Sequence, residues 1–366
     1  MFGIILISAC TLMHIYVCWR AARVPFLNRH VSRPLFLAVG AALWAVLVLG
    51  RFYGHHNIGV WAWALELVGM IWIGVLLLNT VAFLLVDLVT GFGFLFSRWV
   101  PSLRGCALVA GMVLSATALV QGFRAPVVEQ YEVRLNGLPD ALDGSVVVGV
   151  SDLHVGSLLG PDWLADRIAQ IQAEKPDLVV LLGDLFEGHG AGGYDDLLPV
   201  LQGLSAPLGV WAVPGNHEAY GGFASLGLLR DAGVELLRNR WTQVRPGLIL
   251  AGVDDLTAHG RRKGGRDLVE EALASRPPGA TVFLSHTPWE AEKAADLGVG
   301  LMLSGHTHGG QIWPFNYLVR RAYPLLAGQY EVNGMAVIVC RGTGTWGPRM
   351  RLWRAGEILR VTLRTK

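Results

Sequence analysis

Five short segments in the second half of the chain gather side chains that bind metal: Ser151-Asp152-Leu153-His154, Gly183-Asp184, Gly215-Asn216-His217-Glu218, Ser285-His286 and Gly305-His306-Thr307-His308. Carboxylate, imidazole and amide oxygen are the donors of a two-metal site that hydrolyses a phosphate ester. Two cations roughly 3.5–4 Å apart need a bridging carboxylate, and Asp184 is assigned to that place. Asp152, His154 and His308 would complete one metal, and Asn216, His286 and His306 the other. This mixed set suits Mn, Fe or Zn better than Mg or Ca, which prefer oxygen alone. A hydroxide bridging the metals would attack phosphorus in line with the leaving oxygen. His217, assigned to neither metal, would protonate that oxygen or stabilise its charge, with Glu218 setting its tautomer and orientation.

These segments need elements that converge. Ser145 to Val150, Leu178 to Leu182, Val210 to Val213, Leu248 to Val253, Thr281 to Leu284, Leu301 to Leu303 and Met335 to Cys340 are short apolar runs that predict buried strands. Alternation in Val127 to Leu135 predicts another. Asp162 to Ala173, after Pro161, places Leu164, Ile168 and Ile171 on one helical face. Asp267 to Ala274 and Trp289 to Leu297 are similar, so the expectation is an α/β core with helices on both outer faces. Asp152, Asp184, Asn216, His286 and His306 each follow a predicted strand by one to three residues, at the carboxyl edge where α/β proteins assemble sites. Gly188 to Gly193 and Gly260 to Gly265 read as exposed loops, with His189 and His259 solvated in them. Asp254-Asp255 reads as turn chemistry.

In this order the segments resemble the calcineurin-like metallophosphoesterase superfamily, with its Asp-x-His, Gly-Asp-x-x-Asp, Gly-Asn-His-Glu/Asp, His and Gly-His-x-His pattern. The resemblance covers about Gly144 to Ile312 and implies a sandwich of two mixed β-sheets flanked by helices, a dinuclear site and the assignments above. Glu187 departs from it, standing where many members carry the second Asp of Gly-Asp-x-x-Asp, a position that is not a direct ligand. Leu303 to Gln311 and the stretch from Gly342 to Glu357 are similar to a membrane-associated bacterial phosphodiesterase branch. Gln311, Arg341 and Arg349 are candidate phosphate contacts.

The first half is of another kind. The chain is 52% hydrophobic with 366 residues, and residues 1–124 hold eight Arg, no Lys and two acids, or +6, against 22 basic and 26 acidic residues, or −4, in the remainder. Apolar runs at about 2–19, 35–50, 58–88 and 105–123 predict an all-α membrane region of about four spans over residues 1–124, with the phosphoesterase domain over 125–366. Gly91 and Gly93 leave room for an added re-entrant segment. Arg20, Arg23, Arg29 and Arg33 follow the first run instead of preceding it, the pattern of an anchor and not of a cleaved signal. Loops one and three carry six Arg, loop two and the segment after the last span carry Arg51 and Arg124. Four spans then put the catalytic half on the extracytoplasmic side of the cell membrane. Trp44, Trp61, Trp63, Trp72 and Trp99 read as interface anchors, Glu66 and Asp87 as structural or interfacial groups near the ends of the third span, and His14, His30, His55 and His56 as surface or packing residues. Cys10, Cys18, Cys106 and Cys340 have no Cys-x-x-Cys partner and imply neither disulfide nor thiolate site.

The leading expectation is a membrane-anchored phosphodiesterase acting on a membrane-proximal or lipid-linked phosphate, with the bilayer as partner and no protein partner inferred. The acidic soluble half suggests no basic nucleic-acid face and weakens a nuclease as a third possibility, so no nucleic acid is expected as partner. A pyrophosphohydrolase of a nucleotide-linked lipid precursor is the alternative within the class. A sensor or transporter with a non-catalytic phosphoesterase-like domain is the alternative outside it.

Overall fold

The computed structural model describes residues 2–57, 59–187, 195–221, 223, 225–259, 262–263 and 266–366. It divides into two compact units, one of residues 1–124 with 347–354, the other of residues 125–346 with 355–366.

The first unit is helical: α1 (Phe2–Ala21), a short α2 (Pro25–His30), α3 (Arg33–Phe52), α4 (Val60–Val89) and α5 (Val100–Gly122). Among the described residues four of these, α1, α3, α4 and α5, are long and apolar enough to cross a bilayer, and the chain is a membrane protein on that basis. The expected spans 2–19 and 35–50 fall inside α1 and α3, whereas 58–88 starts ahead of α4 and 105–123 starts five residues into α5 and runs one residue past its end. Gly91–Gly93 forms a single 3₁₀ turn between α4 and α5, not a further membrane segment. At the α3–α4 crossing a Cβ on Gly69 would stand 2.9 Å from the Val46 carbonyl oxygen, so a small residue sets the approach.

Buried polar groups tie this unit together. Asp87 on α4 receives Arg20 of α1 at 2.6 Å, Arg104 of α5 at 3.2 Å and the Tyr16 hydroxyl at 2.6 Å. His55 Nδ1 lies 2.8 Å from the buried Glu66 carboxylate, within hydrogen-bonding distance, so of the two expected roles it has the packing one. His14 is buried and accepts from the Trp72 indole at 3.1 Å, so Trp72 is a packing group; Trp61 and Trp99 are exposed on the helix surface. Removing one partner of a buried ion network leaves the others uncompensated. Asp87→Asn is therefore expected to cost about 3 kcal/mol of stability, read as a lower unfolding temperature in detergent; an unchanged temperature would deny the network that role.

The second unit contains two six-stranded sheets among the described residues. Its strands are β1 (Val127–Leu135), β2 (Val146–Val150), β3 (Leu178–Leu181), β4 (Val210–Ala212), β5 (Glu235–Leu236), β6 (Arg240–Arg245), β7 (Leu248–Gly252), β8 (Arg262–Lys263), β9 (Arg266–Asp267), β10 (Ala280–Leu284), β11 (Leu301–Ser304), β12 (Gly328–Val332), β13 (Met335–Val339) and β14 (Glu357–Thr365). One sheet has the order β1-β14-β2-β3-β4-β5 and the other β12-β13-β11-β10-β7-β6, while β8 and β9 pair by themselves. Both are mixed: β2 to β5 run parallel while β14 opposes β2, and β7, β10, β11 and β13 run parallel while β6 and β12 oppose their neighbours.

Strand alternation sorts the apolar side chains. Val147, Leu178 and Val180 meet Leu250, Val282 and Leu303 between the sheets, whereas Val148, Val150 and Val179 turn outward under the helix α6 (Pro161–Ala173) and its Leu164, Ile168 and Ile171. A third cluster covers the other outer face beneath Leu268–Leu273 and Ala291–Asp296. This is the expected α/β sandwich of two mixed sheets flanked by helices. Residues 188–194, with the expected loop histidine His189, lie outside the described residues, as do 260, 261, 264 and 265 of the second glycine-rich stretch. His259 closes a short helix, Leu256–His259, where a loop was expected.

Candidate metal centre

The parallel strands deliver the site. Past their last paired residues β2 and β3 stay side by side, with Asp152 N–H donating to the Gly183 carbonyl (3.0 Å) and His154 N–H to the Asp184 carbonyl (3.1 Å). Asn216 and His217 follow β4 at the start of the short helix Asn216–Tyr220, His286 follows β10, and His306 and His308 follow β11. Five of these residues hold left-handed backbone: Asp152 (φ 54°), His154 (48°), Asp184 (52°), His306 (71°) and His308 (50°). Such strain in non-glycine residues persists only where the surroundings enforce it, and it gathers at functional sites. Gly183 permits the close packing beside Asp184, because a Cβ there would lie 2.6 Å from the Gly215 nitrogen and 2.8 Å from His286 Nδ1.

The side chains form two groups that share one carboxylate. His308 Nε2 stands 3.3 Å from Asp152 Oδ1 and 3.2 Å from His154 Nε2. His286 Nε2 stands 3.2 Å from His306 Nδ1 and 3.2 Å from Asn216 Oδ1. Between them Asp184 Oδ2 lies 3.9 Å from His154 Nε2, 3.3 Å from His286 Nε2 and 3.9 Å from His217 Nε2. Asp152 with His154 and His308, Asp184 with His286 and His306, and His154 with Asp184 and His217 are each spaced to hold a cation.

The opposite ring nitrogens are anchored. His286 Nδ1 meets the Leu182 carbonyl at 2.7 Å, His306 Nε2 the Tyr323 hydroxyl at 2.8 Å, and His154 Nδ1 the Glu187 carboxylate at 2.6 Å. Tyr323 stacks on Trp289 at 5.7 Å. Nothing in motif spacing singled out Tyr323, which comes from the end of the helix Asn316–Ala322, beyond the last motif.

Burial and neighbouring charges oppose one another in the cluster. Burial opposes charge on Asp184, but His286 and His217 beside it hold it well below the usual carboxylate range, and His308 does the same for Asp152. Burial alone would lower His154, yet Glu187 with Asp184 and Asp152 raises it to about 9. Burial and then the neighbouring His286 lower His306 to about 4.

Four expectations need correction. Glu218 does not reach His217: its carboxylate accepts backbone N–H groups of Asp184 (2.9 Å), Leu185 (2.8 Å), Phe186 (3.2 Å) and Gly215 (2.8 Å), sewing two site loops together. The carboxylate beside His217 Nδ1 is Glu187 Oε2, at 3.4 Å. Arg341 is held by Glu129 and Glu357, each at 2.7 Å, and Arg349 belongs to the first unit with its guanidinium 4.1 Å over the Phe123 ring. The Gln311 side chain donates to the Trp346 carbonyl and accepts from the Trp346 N–H, both at 3.0 Å, which commits its amide. Asp254-Asp255 is turn chemistry as read: Asp255 caps the N–H groups of Thr257 and Ala258, and Asp254 pairs with Arg238.

A family model described as calcineurin-like phosphoesterase matches residues 145–310. A protein named as an uncharacterized metallophosphoesterase, from Aquifex aeolicus, is 35% identical over 249 residues, covering 65% of this chain and 92% of that one. A transmembrane protein with metallophosphoesterase domain from Danio rerio is 33% identical over 274 residues, 70% of this chain, and the match spans 62% of its length. Among solved structures, a dimetal phosphatase from Danio rerio aligns with 55% of this chain and 88% of its own at 14% identity and a TM-score of 0.37. With an Aquifex relative matched over nearly its whole length, the chain belongs to the calcineurin-like metallophosphoesterase family.

Proposed function

We propose that the protein is a membrane-anchored phosphodiesterase that uses two divalent cations on a membrane-proximal or lipid-linked phosphate. The observation that carries this reading is Asp184 Oδ2, set between His154 Nε2 at 3.9 Å and His286 Nε2 at 3.3 Å, the place of a bridging ligand. Asp152, His154 and His308 would hold one cation and Asn216, His286 and His306 the other, with Asp184 shared.

The residues fit such a pair. Asp152 Oδ1 is buried with no hydrogen-bond partner while facing His308, an orphan acceptor that a cation would satisfy. Each anchored imidazole turns its other nitrogen inward, the usual arrangement of metal-ligating histidine. The oxygen and nitrogen donors suit Mn, Fe or Zn. When bound, the cations supply positive charge at the phosphoryl oxygens and activate water.

The rest of the chemistry belongs to the chain. His217 is partly exposed and directs Nε2 towards Asp184 and Nδ1 towards Glu187, so a proton held at Nε2 is available to a leaving oxygen. Glu187 orients His217 and His154 together. Glu187→Gln is expected to weaken metal binding about tenfold and turnover about 10- to 100-fold, measured by metal titration and initial rates; wild-type values for both would remove Glu187 from the machinery. The arginine distribution supports an extracytoplasmic catalytic unit.

The test is hydrolysis of a phosphodiester and its matching monoester by detergent-purified protein, with Mn added and with metal removed. Metal-dependent turnover favouring the diester is expected. A protein that binds no metal would overturn the dinuclear reading, and a monoester preference would overturn the diesterase reading.

A further inference from the structure

Among the described residues of the second unit the exposed large apolar side chains are Val127 on β1 and five others that lie on or bond to the segments carrying the site residues. Phe315, Tyr317 and Leu318 are 42%, 62% and 66% exposed, all at the start of the helix Asn316–Ala322. That helix follows the His308–Gly310 turn closely, since Phe315 N–H donates to the Ile312 carbonyl and Gly310 has no room for a Cβ against Asn316. It ends at Tyr323, whose hydroxyl holds His306. Tyr220, 67% exposed, ends the helix that carries Asn216 and His217, and Trp346, 37% exposed, is hydrogen-bonded to Gln311. The helix Asn316–Ala322 adds Arg320 and Arg321, both exposed and without an ion pair among the described residues.

Apolar side chains interleaved with unpaired arginines are the composition of a surface that meets lipid headgroups. A run of exposed apolar side chains, as at Phe315, Tyr317 and Leu318, marks an interaction surface. The chain also carries four candidate membrane helices, so a bilayer is always at hand. We propose that Phe315, Tyr317, Leu318, Arg320 and Arg321, extended by Tyr220 and Trp346, dock on the anionic surface of a lipid bilayer and present membrane-resident phosphate esters to the metal centre. The substrate part rests on the phosphodiesterase reading; the docking does not.

The test uses the full chain in nanodiscs containing an anionic phospholipid with a photoreactive headgroup, with adducts mapped by peptide mass spectrometry. Adducts on residues 315–323 are expected, reduced about tenfold in Tyr317→Ser/Leu318→Ser and in Arg320→Gln/Arg321→Gln, and reduced in zwitterionic discs. In parallel, the ratio of turnover on a bilayer-embedded diester to turnover on a soluble diester should fall about tenfold in both variants. Absence of adducts on that peptide, or equal adducts in wild type and both variants, would overturn the docking surface. An unchanged turnover ratio would overturn the presentation of substrate. Adducts without cleavage of either ester by wild type would support docking and sink the phosphodiesterase reading, so the two failures are distinct.

Discussion

Asp184→Asn is expected to abolish tight binding of both cations and to lower kcat/KM by about a thousandfold or more, about 4 kcal/mol of transition-state stabilisation. The size follows from position. Asp184 Oδ2 is the atom shared by the two histidine groups, and an amide there supplies neither a second lone-pair donor of equal strength nor the negative charge that offsets two cations. Its other oxygen accepts the His217 N–H at 2.9 Å, a bond that asparagine can keep through its own Oδ1, so the local backbone has a reason to survive. The measurement is metal per chain by elemental analysis after dialysis, beside initial rates and the metal-free unfolding temperature. Two metals retained by a folded variant would show that Asp184 does not bridge.

His217→Ala should behave differently, keeping both metals while kcat falls about 10²- to 10⁴-fold, the usual range for loss of a general acid. The distinguishing feature is the leaving group. An alkoxide needs a proton more than a nitrophenolate does, so the loss should be larger for an alkyl ester than for a nitrophenyl ester. His217 also sits with His154 and Asp184 at cation-holding distance. If metal content drops together with an equal loss on both esters, His217 is a ligand and the acid must be sought elsewhere.

Much of the site was legible because it is local. Asp152, Asp184, His286 and His306 lie within three residues of strand ends and Asn216 lies four past Ala212, and short runs such as Leu301, Met302 and Leu303 are apolar on both faces, which marks them as buried without knowledge of their neighbours. The four long helices were legible for the same reason: crossing a bilayer is a demand on length and composition alone. Glu218 shows where adjacency misleads. Neighbouring residues on a helix point about 100° apart, so Glu218 turns into the backbone N–H groups of Asp184, Leu185, Phe186 and Gly215 while His217 faces the site. The pairing of Asp87 with Arg20 and Arg104 was illegible too, because it joins three helices.

The sequence by itself determined the class of donor atoms, their order along the strands and the presence of a membrane region, since each depends on residue type and short-range periodicity. Only the tertiary structure decided which carboxylate lies beside His217, that Tyr323 anchors His306, that Arg341 is spent on Glu129 and Glu357, and that Phe315, Tyr317 and Leu318 stay exposed on the helix leading to Tyr323. Those outcomes depend on which groups end within about 3 Å of one another, a distance set by the packing of segments far apart in the chain.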